Sequence, residues 1–439
     1  MKRIYFSLLI PFLFPLHMIA QVSDSLTLDD CHRSALSQYP LSSQFALLEE
    51  QNETELRKLN TNYLPQVNIG GQASYQSDVT KVDVIFDPIY LPPPIDMELA
   101  TPSPTVPFPP KDQYRINLNL DQVIYDGGIT AGRKEVERAS YEIEKQNVEI
   151  ELYKVKEQVN RLFFSITLLQ ENVKLLKILQ DQIREKLKDV ASAVRHGVAL
   201  ESDRDVLAAE LIRIDQQLAE VKISREAAII MLEELTCLDI GPDTYLVLPG
   251  PEIDLDQYSN ERPEYDLFEM YKMRNEAAMK LADAQWMPKL AGYGQLGYGQ
   301  PGLNMMDPAW DTYYIFGARL QWKIWNWNKY KREKEVLELQ DQIISTRQAS
   351  FDKNTRVATA RDIAEIKKYQ YLVSKDMEII ALRKRIAETA SSQLDNGVIT
   401  STDYIQRVND ATQAEINMQT HEIQLIQAKV NYNATLGKL

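Results

Sequence analysis

Two hydrophobic periods alternate along this chain. Val67, Ile69, Gly71, Ala73 and Tyr75 take turns with Asn68, Gly70, Gln72, Ser74 and Gln76, and Ile116, Leu118, Leu120 and Ile124 with Arg115, Asn117, Asn119 and Asp121. The same phase returns with Leu290, Leu296 and Tyr298, and then with Phe316, Ala318, Leu320, Trp322 and Ile324 against Gly317, Arg319, Gln321 and Lys323. A period of two puts each set on one face of a strand, so four strands are predicted, one face suited to lipid and the other to water. The water-facing set includes Asn68, Gln72, Arg115, Asn117, Asn119, Arg319 and Gln321. Aromatic residues gather at the strand ends: Tyr63, Tyr125, Trp286, Trp325 and Trp327 on one side, Tyr75, Tyr114, Tyr298, Tyr313 and Tyr314 on the other. Two such girdles suit a membrane barrel, although a soluble sandwich with one wet face shares the alternation.

After each strand pair the period lengthens. Residues 129–194 and 329–394 contain no proline and scarcely any glycine, so each reads as one helix about 100 Å long. Val155, Val159, Leu162, Ile166, Leu169, Val173, Leu176, Ile183, Leu187 and Val190 follow alternating spacings of four and three, broken only at Gln180. That is a coiled-coil seam. It resumes beyond Gly197 with Leu207, Leu211, Ile214, Leu218, Val221, Ala228, Leu232 and Leu235, which predicts a helix folding back along the first. In the last helix Tyr404, Ala411, Ala414, Met418, Leu425, Ala428 and Tyr432 keep a seam on which His421 also falls, a packing position rather than a ligand.

The order of these elements is written twice. Tyr39-Pro40 and Leu64-Pro65-Gln66 return 223 residues later as Arg262-Pro263 and Met287-Pro288-Lys289. Val123-Ile124-Tyr125-Asp126 and Gly197-Val198 return after 200, as Lys323-Ile324-Trp325-Asn326 and Gly397-Val398. The change of offset locates an insertion at 77–113, which holds Pro88, Pro92, Pro93, Pro94, Pro102, Pro104, Pro107, Pro109 and Pro110. Proline lacks the N–H a ladder needs, so an irregular exposed loop between two strands is predicted. The first repeat covers 21–236, with a β-hairpin at 63–125 and a long helical hairpin at 129–236. The second covers 262–439, with a β-hairpin at 288–325 and a helical hairpin at 329–436. Residues 237–261, rich in Pro, Gly and Asp, predict a small mixed belt between them.

The fold class is thus mainly α, with four strands per chain. A barrel in lipid must have no free edge, and the smallest kinds use about eight strands, so one chain cannot close alone. Two chains would give a barrel filled by side chains, whereas three would share twelve strands and leave an opening, so a conduit favours a homotrimer.

Charge and targeting change the picture in one direction. Lys2 and Arg3 precede an apolar run from Ile4 to Ala20, which reads as a signal peptide, residues 1–20, cleaved after Ala20. Pro11, Pro15 and the short length argue against a membrane anchor. Removing Lys2 and Arg3 leaves 47 basic against 63 acidic side chains, a net charge of −16, which makes nucleic acid an improbable partner. Mean hydropathy is −0.35 and the remaining chain has no apolar run long enough to span, so any membrane passage must use strands. Cys31 and Cys237 give no disulfide framework and are expected to be structural. His32, His196 and His421 have no metal-binding spacing, and Glu233-Glu234 has no attendant His or Ser, so no metal, cofactor or catalytic set is expected.

These features together resemble the TolC family of outer-membrane efflux ducts, from Leu26-Thr27-Leu28-Asp29-Asp30 to the end of the chain. The most specific carriers are Gly197-Val198-Ala199-Leu200-Glu201-Ser202-Asp203 and Gly397-Val398-Ile399-Thr400-Ser401-Thr402-Asp403. Glycine can end the incoming helix and Ser401 or Thr402 can cap the outgoing one, which explains the pattern without any transport role. The resemblance implies more: these tips, Gly197 to Leu200 and Gly397 to Thr400, meet a periplasmic adaptor protein, and Asp203 and Asp403 guard the tunnel entrance. Ile399 and Gln406 stand where the best-known member has arginine and aspartate, which implies fewer polar locks there.

It further implies an outer-membrane location with a periplasmic helical extension, and passive conduction of drugs and other small molecules from an inner-membrane transporter in a tripartite system. The outer-membrane component of a type I protein secretion system would look the same. A trimeric coiled-coil adhesin would share the heptads but carry its membrane strands once, at one terminus.

Overall fold

The computed structural model describes residues 25–81, 107–241, 244–253 and 260–439, with residue 93 and the backbone of 89–91 and 97–99. The signal peptide at 1–20 lies outside them, as do Pro88, Pro92, Pro94, Pro102 and Pro104 of the insertion and residues 254–259 of the belt. In chain order the elements are β1 (Ser25–Thr27), α1 (Leu28–Gln38), α2 (Gln44–Asn60), β2 (Gln66–Tyr75), β3 (Ile89–Leu91), β4 (Met97–Leu99), β5 (Asp112–Tyr125), α3 (Ile129–Arg195) and α4 (Glu201–Thr236). There follow β6 (Tyr245–Val247), α5 (Pro263–Trp286), β7 (Lys289–Gln300), β8 (Asp311–Gln321), α6 (Lys329–Asp395) and α7 (Ser401–Thr435). The two long helices expected from the proline-free runs are each 67 residues without a break. Among the described residues no helix is long and apolar enough to cross a membrane.

The chain divides into two compact units. One comprises Phe45–Asn147 and Glu264–Ser350 and contains a four-stranded antiparallel sheet in the order β2-β5-β7-β8. Its register lines up Val67, Leu120, Gly294 and Phe316 in one row and Ile69, Leu118, Leu296 and Tyr314 in another. The expected apolar face is therefore continuous across four strands, and it is open: Ile69 is 75% exposed, Phe316 69% and Leu320 70%. Between Val123 and Tyr125 the register shifts by one residue, a bulge that bends β5 at its helix end.

Three expectations about the strands need correction. The fourth strand was predicted to run on through Trp322 and Ile324, but its ladder stops at Gln321 because β7 begins opposite it, at Lys289. Tyr313 belongs to the polar face rather than to a girdle, since its hydroxyl donates to Asn117 Oδ1 at 2.7 Å. The insertion is not wholly irregular. Ile89–Leu91 and Met97–Leu99 pair as a short antiparallel ladder, because the prolines cluster between and beyond these segments rather than within them.

In the same unit both long helices start on a side-chain cap. Asp126 accepts from the backbone N–H of Gly128 at 2.9 Å and of Thr130 at 2.6 Å, and Asn326 Oδ1 accepts from Lys329 N–H at 3.2 Å. This is the physical content of the Asp126/Asn326 match 200 residues apart. Gly127 and Gly128 turn the chain there with positive φ, and Trp327 and Asn328 adopt the same left-handed region without being glycine. α5 packs on the first turns of α3, where a Cβ on Gly132 would stand 3.1 Å from Leu281, and reaches α6 through Asn275–Asp341 at 2.7 Å and Lys334–Asp283 at 2.7 Å.

The other unit holds Ser25–Gln44, Val148–Pro263 and Phe351–Leu439 of the described chain. Its largest core unites Cys31, Val159, Phe163, Phe164 and Ile166 with Leu232, Leu246 and Ile423. The predicted seam residues Val155, Val159, Ile166, Leu176, Ile183 and Val190 are buried, but so are Phe163, Phe164 and Leu179, which lie off that seam. The reason is that α3 shares its cores with α7 as well as with α4, so it needs two apolar stripes. Burial of each such side chain contributes about 1.5–3 kcal/mol.

β1 and β6 form a parallel two-stranded ladder that buries Leu246, within the expected belt. Cys31 is fully buried, and burial pushes its thiol up to about 12, so it stays neutral. Cys237 is not a core residue: it is exposed, in the left-handed conformation that ends α4. His421 packs against α6, with Nδ1 2.6 Å from Asp376.

Candidate functional site

Two places carry the residues singled out from the sequence, one in each unit. The first is the polar face of the sheet. Strand alternation and register put Asn68 beside Asn119, Gln72 beside Arg115 and Gly70 beside Asn117, with Arg319 opposite Ala291 and Gln321 opposite Lys289. All seven expected polar-face residues thus share one face. Asp121, Tyr293, Gln295 and Tyr313 join them, with Gln295 donating to Asn119 Oδ1 at 3.0 Å. Glycine at 292, 294, 297 and 299 hides the alternation of β7 in the sequence, which is why Tyr293 and Gln295 were not picked out.

The aromatic end of the sheet gained a member in the same way. Trp310 lies outside any strand, yet it stacks on Tyr298 at 5.2 Å and on Tyr114 at 6.0 Å between ring centroids. These rings close the loop-side end of the apolar face.

The second place is where α3 turns into α4 and α6 into α7. Gly197 and Gly397 have φ of 76° and 68°. Around each glycine the backbone bonds are Gly197 N–H to Val194 O and Val198 N–H to Ala193 O, then Gly397 N–H to Leu394 O and Val398 N–H to Gln393 O, all between 2.8 and 3.0 Å. This paired pattern satisfies the last carbonyls of a helix and requires a left-handed residue. Val198, Leu200 and Val398 are left largely exposed at 77%, 69% and 67%, while Ala199 and Ile399 turn inward onto a core of Ile183, Leu207, Tyr404 and Val408.

The cap of α7 is neither Ser401 nor Thr402. It is Thr400, whose hydroxyl accepts from Asp403 N–H while the Asp403 carboxylate accepts from the Thr400 hydroxyl at 2.8 Å and its N–H at 3.3 Å. Those hydrogen bonds from Thr400, side chain first, hold the Asp403 carboxyl below its ordinary range. The start of α4 has Leu200 in the same place and no side-chain cap. Asp203 instead accepts from the backbone N–H of Ser401 at 3.4 Å, on the other hairpin.

Further polar links join the hairpins. Lys186 on α3, its side chain 9% exposed, pairs with Asp395 at 2.8 Å and lies 5.5 Å from the ring centroid of Tyr404, and Asn409 donates to Glu210 at 2.8 Å. Arg383–Asp410 and Lys384–Glu415 hold α6 to α7 at 2.8 and 2.7 Å. Near Asp403 a groove of about 710 Å³ opens, lined by Arg385, Arg407 and Ile399. Among the described residues no group of three or more His, Cys, Asp or Glu is placed to hold a metal ion.

No protein-family model matches this sequence, and no curated protein matches it either. Solved structures do match its fold. The CmeC outer membrane channel of Campylobacter jejuni superposes over 94% of this chain and 85% of its own, with a TM-score of 0.63 at 15% identity. The outer membrane protein VceC of Vibrio cholerae covers 93% and 96%, with 0.64 at 10%, and the open state of the Neisseria gonorrhoeae MtrE outer membrane channel 94% and 89%, with 0.63 at 16%. CmeC and MtrE are outer membrane channels and VceC an outer membrane protein, and the chain has their TolC-like fold.

Proposed function

We propose that this chain is the subunit of an outer-membrane duct that conducts solutes passively from the periplasmic side to the exterior. The observation that carries the proposal is the sheet: one face open and apolar over four strands, the other polar, and both edge strands, β2 and β8, without an outer partner among the described residues. Such a sheet is unstable in lipid unless its edges pair, and three copies would close it into twelve strands around a polar bore. The helices support the same assembly. α6 exposes Val336, Leu339 and Ile343, then Ile379, Leu382 and Ile386, at the three-and-four spacing of a seam left uncovered among the described residues.

The succession of helix, strand pair, long helix and returning helix occurs at α2 to α4 and again at α5 to α7, which supports two internal repeats. The signal peptide delivers the chain for insertion. The apolar tips at Val198, Leu200 and Val398 suit docking to a periplasmic adaptor, and an inner-membrane transporter supplies the energy that a duct without a catalytic centre cannot. Asp403, repeated threefold, makes a carboxylate ring that favours cations at the entrance.

The test is reconstitution in planar bilayers. Discrete conductance steps from an oligomer stable in detergent are expected, with cation preference reduced in Asp403→Ala. A detergent-stable monomer that never conducts would overturn the reading. Deletion in the source bacterium is expected to raise sensitivity to drugs, whereas a secretion duct would show instead as loss of an exported protein.

A further inference from the structure

Two tyrosines on the polar face form a reciprocal arrangement. Tyr313 on β8 stands opposite Gly297 on β7, and Tyr293 on β7 stands opposite Gly317 on β8. Neither glycine has a positive φ, so the backbone does not demand them. The rings do: a Cβ on Gly317 would lie 2.6 Å from both Cζ and the hydroxyl oxygen of Tyr293, and one on Gly297 would lie 2.6 Å from the hydroxyl oxygen of Tyr313. Each ring therefore lies flat across the neighbouring strand, hydroxyl outermost, in space that only glycine leaves.

The two differ in what comes next. Past Gly297 is β5, whose Asn117 sits opposite that glycine and accepts the Tyr313 hydroxyl at 2.7 Å. Past Gly317 the sheet ends, because β8 is an edge strand. The Tyr293 hydroxyl has no hydrogen-bond partner among the described residues, although the Arg319 guanidinium fixes the ring from 5.1 Å. A second feature marks the same edge. Trp322 and Ile324 continue the apolar phase of β8 and Lys323 the polar one, with no strand beside them among the described residues.

We propose that Tyr293 bridges to a second copy of this chain: its ring crosses β8 and its hydroxyl donates to a polar side chain on β2 of that copy. β2 offers Gln66, Asn68, Gln72 and Ser74 on the polar face. Strand directions alternate through β2, β5, β7 and β8, so β8 and an incoming β2 meet antiparallel and continue the sheet. The bracket completed within one chain by Tyr313, Gly297 and Asn117 is thereby repeated across each seam. This inference rests on the shared barrel proposed above and assigns a side-chain tie that fixes its seam.

Photocrosslinking tests it on the full chain in detergent. Tyr293→p-benzoylphenylalanine is expected to convert the denatured monomer band into dimer- and trimer-sized products on illumination, with the crosslinked peptide inside residues 66–75. The same replacement at Tyr313 is expected to give no size increase and a crosslink near Asn117. Tyr293→Phe, which keeps the ring, is expected to lower by several degrees the temperature at which the oligomer dissociates in dodecyl sulfate. If the Tyr293 probe reacts only within its own chain, or Tyr293→Phe dissociates like the parent, while the protein remains an oligomeric pore, the bridge is wrong and the duct stands. A monomer without conductance defeats the duct itself.

Discussion

The two helical turns at Gly197 and Gly397 share a skeleton, glycine with aspartate six residues later, and yet spend that aspartate differently. Asp403 closes a capping box with Thr400 at the start of its own helix. Asp203 follows an apolar Leu200, finds no hydroxyl at the cap position, and reaches Ser401 N–H on the other hairpin. One residue thus decides the outcome: a threonine at the cap keeps the carboxylate at home, and a leucine releases it for coupling. At the start of its outgoing helix the second tip has both a side-chain cap and a bond to its neighbour, whereas the first has only the bond to its neighbour.

The largest test removes the coupling. Asp395→Ala strands the ammonium of Lys186 in a nearly closed site, at an expected cost of about 2 kcal/mol. The full penalty for breaking a buried pair is not reached because the Asp395 side chain is 57% exposed. Lys186→Met, which removes the charge and keeps the packing, is expected to melt close to the parent. Thermal unfolding followed by helical circular dichroism distinguishes them, and equal melting of Asp395→Ala and the parent would mean that the hairpins are held by packing alone.

Next come the shared elements. Gly197→Ala and Gly397→Ala would each place a Cβ in open space, so any cost arises from the left-handed backbone, about 1 kcal/mol at either tip. A clear inequality would show that the glycines, not only the caps, differ in role. Thr400→Ala is expected to cost about 1 kcal/mol at the start of α7, and Leu200→Ser to add about 0.5 kcal/mol at the start of α4. Amide exchange of residues 401–404 and 201–204 reads both, and protection that moves the same way in the two variants would erase the contrast drawn between the tips.

How much of this was legible beforehand follows from the range of the forces involved. Strand alternation, the glycine turns and the proline-free helices are local, and each was readable in the sequence. The second stripe on α3 was not, since Phe163 and Leu179 are buried by an α7 more than two hundred residues away. Tyr313 looked like a girdle residue by its place near the strand end, although the alternation of Phe316 and Ala318 with Gly317 and Arg319 already puts it on the polar face, where its ring lies over Gly297. The cap at Thr400 was misplaced by one or two residues because Ser401 and Thr402 carry equally good hydroxyl acceptors, and geometry alone selects among three neighbours. The closed site around Lys186 was not legible either, because Asp395 and Tyr404, which surround it, lie more than two hundred residues further along the chain.

The smallest expected effect is on acidification, and it acts on one tip only. The Asp403 carboxyl lies below its unfolded value of 3.8, chiefly through hydrogen bonds from the Thr400 hydroxyl and N–H, with Arg407 adding to them against slight desolvation. A carboxyl depressed in the folded state contributes stability that is complete above the unfolded value and lost as pH falls through the folded one. Lowering the pH from 5 toward 2 is therefore expected to reduce amide protection at the start of α7, by a margin kept modest because the group is solvent-exposed. Asp403→Asn retains the cap geometry without the titration, so its α7 protection factors should stay flat over the same range. If the asparagine variant loosens with acid as the parent does, the titrating group lies elsewhere and the capping box is not what sets the second tip apart from the first.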